Sequence, residues 1–376
     1  MSFFPKSAFM VQFLIGIAIN ASSQTYNFYR GNLHAHTAYS DGNKDSTKSH
    51  VNTPAGSFQY AKQSANFDYI GISEHNHYTA RENPGMHLED YAKGVDQAKD
   101  ENEDGSFVCL YGMEFGIIMG GGHVLIYGVD SLIGWESGNY DIYCGKSDYK
   151  NLWKILTARP ASFAILAHPE DVHFKRLLQS PYNATADQAI CGVAVVTGPF
   201  KSKMTNYKQK PSGNFYSYYK WMLAKGYHLG PVIDHDTHMT VFGRSHPSRT
   251  VVLAESLDRE HIMDAYRSMR FYSSGDRNVE VCFTINGEVM GSPIEDTDNI
   301  VIDISILDED IKDKTVSIKI LSGKPGSNVL PTVFKSIPNS ETFSFRGPAP
   351  SSAYYFLEIT QKDGDKIYTA PIWVRK

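Results

Sequence analysis

Six histidines, one glutamate and two aspartates of this chain each follow a short apolar run, where a strand would end: His34 and His36 with Asp41 just beyond, His75, Glu114, His123, His168, and Asp236 with His238. Strand residues two apart point to the same side. His34 and His36 can therefore grip one ion together, and Asp236 and His238 can do the same later in the chain. His75 and His77 share this spacing. Imidazole and carboxylate ligands suit Zn, Mn or Fe. So many ligands point to two or three divalent ions rather than one, with a carboxylate such as Glu114 bridging two of them. A single H-x-H pair or a single Ala-His-Pro would be ordinary packing. The ordered recurrence at five or six strand ends is what points to a metal centre.

The elements that must position these residues can be read from the same rows. Strand-like runs cover Phe67–Ser73, Phe107–Gly112, His123–Val129, Phe163–His168, Cys191–Thr197 and Leu229–Asp234. Amphipathic stretches lie between them at Ser57–Ala65, Leu88–Ala98, Tyr149–Ala158, Phe215–Lys225 and Arg259–Arg270. Strands alternating with helices predict βαβ units, a mainly parallel sheet, and closure into a barrel with its ligands at the carboxyl ends of the strands. After about Asn278 the texture changes to period-two alternation, as in Ile300, Ile302, Ile304 and Ile306, with a hairpin signal at Asp363-Gly364. The expected division is a signal peptide over 1–23, a metallohydrolase barrel over 24–277 and an all-β sandwich-like module over 278–376. A packing or lid role is expected for the last of these, with glycan contact as the alternative.

The 376 residues are enough for two domains, and 41% apolar with 20% charged residues is ordinary for a globular protein. A net charge of −5 without a basic run argues against duplex nucleic acid as a partner. Lys6, the apolar run Phe9–Ile19 and the small residues Ala21 and Ser23 read as an export signal too short to span a bilayer. A periplasmic or extracellular location without a membrane span follows as an expectation. Cys109, Cys144, Cys191 and Cys282 form no C-x-x-C pair and are expected to be buried free thiols.

The string Arg30-Gly31-Asn32-Leu33-His34-Ala35-His36-Thr37-Ala38-Tyr39-Ser40-Asp41-Gly42 closely resembles the opening motif of the PHP (polymerase and histidinol phosphatase) metallohydrolases. The stretch from Phe67 to Asn76 is similar to their second motif, with Glu74 in place of the commoner aspartate. Gly112-Met113-Glu114, Ala167-His168-Pro169 and Asp236-Thr237-His238 match the remaining motifs in order. The likeness runs from about Asn27 to Asp276. Farther on, Arg249–Ala254, Met269–Asp276, Asn286-Gly287 and Met290-Gly291-Ser292 resemble an exported, carbaryl-hydrolase-like branch that carries a β module.

This resemblance implies an α/β fold, a distorted (β/α)7 barrel followed by the β module. It also implies three metal sub-sites. His34, His36, Glu114 and Asp236 would hold the first ion, Glu114, His123 and His168 the second, and Asp41, His75 and His238 the third. Glu74 would orient a ligand.

The chemistry expected of such a centre is hydrolysis of a small-molecule ester. Clustered ions can supply hydroxide near neutral pH and neutralise charge in the transition state. A phosphoester is the favoured substrate, with hydroxide attacking phosphorus in line, Arg244 clamping the phosphate, and His77 or His235 giving the proton. His235 is expected to face away from Asp236 if the strand continues. The alternatives are a carboxyl ester or carbamate, for which Arg244 would be dispensable, and a non-catalytic metal-containing protein that binds glycans.

Overall fold

A computed structural model describes residues 19–21, 24–77, 85–118, 121–169, 174–310 and 312–376. Most of the expected export signal, residues 1–18 and 22–23, lies outside the described residues. Residues 19–21 form a short strand antiparallel to the start of the strand Gln24–Asn32.

The expected strands and helices form within a few residues of their predicted limits, but their connectivity corrects the expected fold. The chain is not a (β/α)7 barrel with an appended sandwich. It is mostly β, with 37% strand against 19% helix among the described residues, built on one mixed sheet of 17 strands. Two parallel runs lie within it. Gln24–Asn32, Tyr69–His75 and Val108–Phe115 form one; Phe163–Leu166, Ile190–Thr197 and Gly230–Asp234 form the other. Val124–Tyr127 joins them and is antiparallel to both of its neighbours. Arg249–Ala254 runs antiparallel to Gln24–Asn32 and to Phe271–Ser274.

The physical reason lies in a connection. A parallel crossover needs roughly a dozen residues, whereas an antiparallel return needs only a turn. Only eight residues, 116–123, link Phe115 to Val124, and Gly116, Gly121 and Gly122 adopt positive φ. The C-terminal strands also join the same sheet. Lys366–Thr369 pairs with Phe271–Ser274, Ser352–Gln361 pairs with Lys366–Thr369 and with Thr315–Gly323, and Ile372–Arg375 pairs with Ser352–Gln361. The Asp363-Gly364 hairpin forms where the sequence signals it, with Gly364 at φ 101°.

Strands such as Tyr69–His75 and Val108–Phe115 are buried along their whole length, as expected when both faces are covered. Helix Leu88–Asp100 presents Tyr91, Gly94, Val95 and Ala98 as its buried stripe. Gly94 permits that approach, since a Cβ there would lie 2.1 Å from the Tyr111 ring. Thr53 caps helix Pro54–Ala61 by accepting from the Gly56 N–H (3.2 Å). A four-stranded sheet containing Glu280–Ile285, Asn299–Leu307 and Thr342–Pro348 covers the C-terminal half. Its Phe283, Ile302 and Ile304 share one apolar core with Phe28, Leu253, Tyr272, Leu357 and Ile372.

Among the described residues no helix is long and apolar enough to cross a membrane. All four cysteines are free, and Cys109, Cys144 and Cys191 are buried.

Candidate metal centre

The outer ends of the two parallel runs meet at a parallel bridge between Ala35 and Thr237, where the His36 N–H donates to the Thr237 carbonyl (2.9 Å). This bridge carries His34 and His36 on one side and Asp236 and His238 on the other. Asp236 sits at φ 49° and His168 at φ 26°, left-handed conformations that cost energy outside glycine and gather at functional sites. Asp41 arrives on a loop that folds back on His36, and the Gly42 N–H donates to the Thr37 carbonyl (2.8 Å). Gly42 is required there, because a Cβ would lie 2.1 Å from the His36 carbonyl.

Glu114 is fully buried at the junction of these elements. Its Oε2 lies 3.3 Å from His34 Nε2, 3.2 Å from His36 Nε2 and 3.1 Å from His75 Nδ1. Its Oε1 lies 2.7 Å from His123 Nδ1 and 3.2 Å from His168 Nε2. The first group of donors is compact. His34 Nε2 and His36 Nε2 are 3.1 Å apart, and each is 3.3 Å from Asp236 Oδ1. In the third group, Asp41 Oδ2 lies 3.2 Å from His238 Nε2 and Asp41 Oδ1 lies 3.7 Å from His75 Nε2. His36 Nδ1 is 3.9 Å from Asp41 Oδ1. All nine expected ligands therefore come together, but His36 and His75 each face two sub-sites. Lys44 adds a cation, its Nζ 3.0 Å from Asp41 Oδ2.

The donor set fits metal ions on a direct observation. His36 Nδ1, Asp41 Oδ1, His75 Nδ1 and Glu114 Oε2 are buried yet make no hydrogen bond within the protein. Buried polar atoms normally find partners, and here several converge without one.

Charge is distributed unevenly across the cluster. Burial opposes the charged form of His36, but Asp236 and Glu114 outweigh it and raise the ring to about 10. Burial likewise opposes His168, and its bond to Glu114 and the aspartates 234 and 236 raise it to about 9. Burial would lift Glu114, yet His123, His34 and His75 hold it well below the usual carboxylate range. Burial drives His75 well below the usual imidazole value.

Glu74 is pushed by burial up to about 7, while His36, Ser40 and Thr37 pull it back. It accepts from the Thr37 N–H (3.0 Å) and from the hydroxyls of Thr37 and Ser40. It thus fixes the loop after His36 and reaches His36 Nδ1 at only 3.9 Å.

Two expected roles are not met by the geometry. Arg244 does not face the centre. Its guanidinium donates to Ser64 Oγ, the Tyr60 carbonyl and Gln63 Oε1, and lies over the Tyr60 ring. His235 points away, with Nε2 2.9 Å from the Ser248 carbonyl and its ring stacked on Phe67. His77 does reach the edge of the centre, 5.4 Å from the His75 ring and 5.5 Å from Trp135 by centroids, and burial lowers its pKa.

Asp234, which the sequence marks only as the last residue of the strand Leu229–Asp234, is integral to the centre. Its Oδ1 lies 2.5 Å from His34 Nδ1, and its Oδ2 accepts the His168 N–H (2.9 Å). The signal was its place two residues before Asp236.

No family model matches this chain, and no curated protein matches it. Three solved structures that match it each cover about a quarter of the chain. A DUF3823 family protein from Bacteroides ovatus ATCC 8483 is 11% identical, with 26% of this chain and 55% of that chain covered and a TM-score of 0.19. The PmoD soluble domain from Methylocystis sp. ATCC 49242 (Rockwell) is 15% identical, with 26% and 90% covered and a TM-score of 0.20. Superoxide reductase (neelaredoxin) from Ignicoccus hospitalis is 6% identical, with 25% and 80% covered and a TM-score of 0.19. The chain thus spans just over half the length of the first of these structures, and likeness at this level carries no statement about the centre.

Proposed function

We propose that this protein is a metal-dependent hydrolase acting on ester bonds, with a phosphoester as the favoured substrate. The observation that carries this reading is Glu114, a fully buried carboxylate whose two oxygens lie within 3.3 Å of five histidine nitrogens. The motif resemblance to PHP metallohydrolases supports the same reading through its residues alone.

His34, His36, Glu114 and Asp236 would hold one ion, and Glu114, His123 and His168 a second. Neutral imidazole offers one lone pair while its other nitrogen carries a proton. His36 and His75 cannot serve two sub-sites at once, and Lys44 already neutralises Asp41. The reading is therefore two firmly held ions, with a weaker third at Asp41 and His238. Zn, Mn and Fe all suit these donors. Bound ions would lower the pKa of coordinated water and neutralise charge on an ester oxygen.

The remaining residues bind, orient and exclude water. Asp236 and His168 have side chains 16% and 14% exposed, against 0% for His34 and His36, so a substrate approaches from their side. His77, kept neutral by burial, is placed to accept a proton rather than deliver one. Beside His238 lies the exposed ring of Phe200, centroids 5.8 Å apart. Phe200 borders a groove of about 320 Å³ with Lys201, Lys203 and Met204, a surface suited to an organic anion.

The test is turnover of phosphomonoester, phosphodiester and carboxyl-ester chromogenic substrates by the metal-reconstituted chain and by Glu114→Ala. Phosphoester turnover abolished in the variant is the expected result. Turnover of the carboxyl ester alone would replace the favoured substrate with a carboxyl ester or carbamate. Full metal loading without turnover of any ester, together with glycan affinity, would favour the binding role.

A further inference from the structure

A stretch of unusual charge borders the histidine centre beside His238. Between Asp187 and Asp234 the chain has six lysines, Lys201, Lys203, Lys208, Lys210, Lys220 and Lys225, and no acidic residue, although the whole chain carries a net charge of −5. The lysines are spaced apart rather than run together, and most such residues only solvate a face. Lys201 and Lys203 differ because of where the backbone puts them. The Gly198 N–H donates to the Asp234 carbonyl (2.9 Å), and the His238 N–H donates to the Phe200 carbonyl (3.0 Å). Farther along, the Tyr207 N–H donates to the Arg244 carbonyl (2.9 Å) and the Gln209 N–H to the Ser245 carbonyl (3.0 Å). The segment 198–209 is thus tied at both ends to the chain around Asp236 and His238.

This segment forms the groove of about 320 Å³ whose lining includes Phe200, Lys201, Lys203, Met204 and Gln209, and no acidic side chain contributes to it. Phe200 and Met204 are 40% and 41% exposed, an apolar floor on an otherwise polar rim. Lys201 Nζ lies 5.2 Å from the centroid of the Phe200 ring, and neither Lys201 nor Lys203 forms an ion pair among the described residues. Metal ions would neutralise the scissile group itself, so these two cations have no role in balancing it. They complement a molecule that continues past His238 with an apolar portion and then a further negative charge.

Resting on the hydrolytic reading above, we propose that the substrate carries a second negative group beyond its scissile ester, held by Lys201 and Lys203 while the intervening chain lies on Phe200 and Met204. Binding energy from this remote group would orient the ester over the ions. Because the lysines are exposed, that contribution weakens with salt.

The test uses non-hydrolysable probes and the full chain loaded with Zn²⁺. ω-Carboxyalkylphosphonates of several spacer lengths are compared with alkylphosphonates of matched length by calorimetry at low ionic strength. At the best spacer the carboxylate is expected to tighten binding about five- to thirtyfold, about one exposed ion pair from each lysine. Added NaCl is expected to shrink this preference. Lys201→Ala/Lys203→Ala is expected to erase it without changing the circular dichroism. Lys220→Ala, from the same acid-free stretch but with Nζ 4.6 Å from the Tyr216 ring centroid, is expected to leave it intact. Equal affinities within every matched pair overturn the inference and leave the hydrolytic reading standing. So does a preference that survives the double substitution, or one that falls as far in Lys220→Ala. Binding of neither phosphonate series would count against the hydrolytic reading itself, and the inference would fall with it.

Discussion

Asp234 offers the sharpest test of how the proposed metal centre is held. Its Oδ1 sits 2.5 Å from His34 Nδ1, on the far side of the ring from the nitrogen that faces Glu114 and Asp236. A carboxylate there keeps the Nδ1 proton in place and leaves Nε2 free as a ligand. Its Oδ2 takes the N–H of His168, a ligand held at φ 26°.

Asp234→Asn keeps the shape and can still accept from His168, but it removes the charge opposite His34. A contact to a charged group is worth about 1.5–3 kcal/mol, against about 1 kcal/mol for a neutral one. The difference of about 0.5–2 kcal/mol is roughly a two- to thirtyfold loss of metal affinity. Asp234→Ala also leaves the His168 N–H without its partner, adding about 1–3 kcal/mol. Its loss should approach or exceed about a hundredfold, with a lower Tm. Competition between the protein and a chromogenic chelator for Zn²⁺ reads both affinities, with circular dichroism confirming the fold. Metal affinity of the asparagine variant equal to that of wild type would refute this account of Asp234.

Two further outcomes follow from the same geometry. Arg244→Ala should leave phosphoester kcat/KM nearly unchanged while lowering stability by about 1–2 kcal/mol, because its donors and its ring contact serve Tyr60, Gln63 and Ser64. A tenfold or larger loss of turnover at unchanged stability, on a scale of about 1.4 kcal/mol per decade, would return it to the substrate. His235 and His246 pack 4.3 Å apart by ring centroids, and both are lowered by burial first, His235 to about 3. In the unfolded chain both protonate near pH 6.5. Below that pH the unfolded state binds more protons, so their contribution is complete above about pH 6.5 and is lost as pH falls toward about 3. His246→Phe should remove one proton from this linkage, flattening the acid limb by about 1.4 kcal/mol per pH unit in denaturant melts, and an unchanged slope would refute it.

The convergence of the candidate ligands was legible because each sits where an apolar run stops, and because the period of two aligns His34 with His36 before any fold is known. Asp234 hid behind that same period. It belongs with Asp236 by spacing, but the left-handed turn at Asp236 breaks the strand, so its role depends on a backbone angle that composition does not reveal. Arg244 was misjudged because closeness in sequence says nothing about direction. The turn closed by its N–H to the Val241 carbonyl aims the side chain at helix Pro54–Ala61. Strand positions were readable and strand directions were not, although the short link from Gly116 to His123 already argued against a helical crossover.

The strand Phe271–Ser274 is bonded on one side to Arg249–Ala254 and on the other to Lys366–Thr369. Cutting the chain near residue 277 would strip it of one neighbour and bare Phe28, Leu253 and Tyr272, which share a core with the strands removed. The shortened protein would present a sticky edge to its own copies, a recognised route to aggregation. Heating the whole chain should therefore melt both halves in one step, and a lesion at the tail, as in Trp373 or Ile372, should surface in the cell as scarcity of the whole protein rather than as a change confined to the histidine cluster.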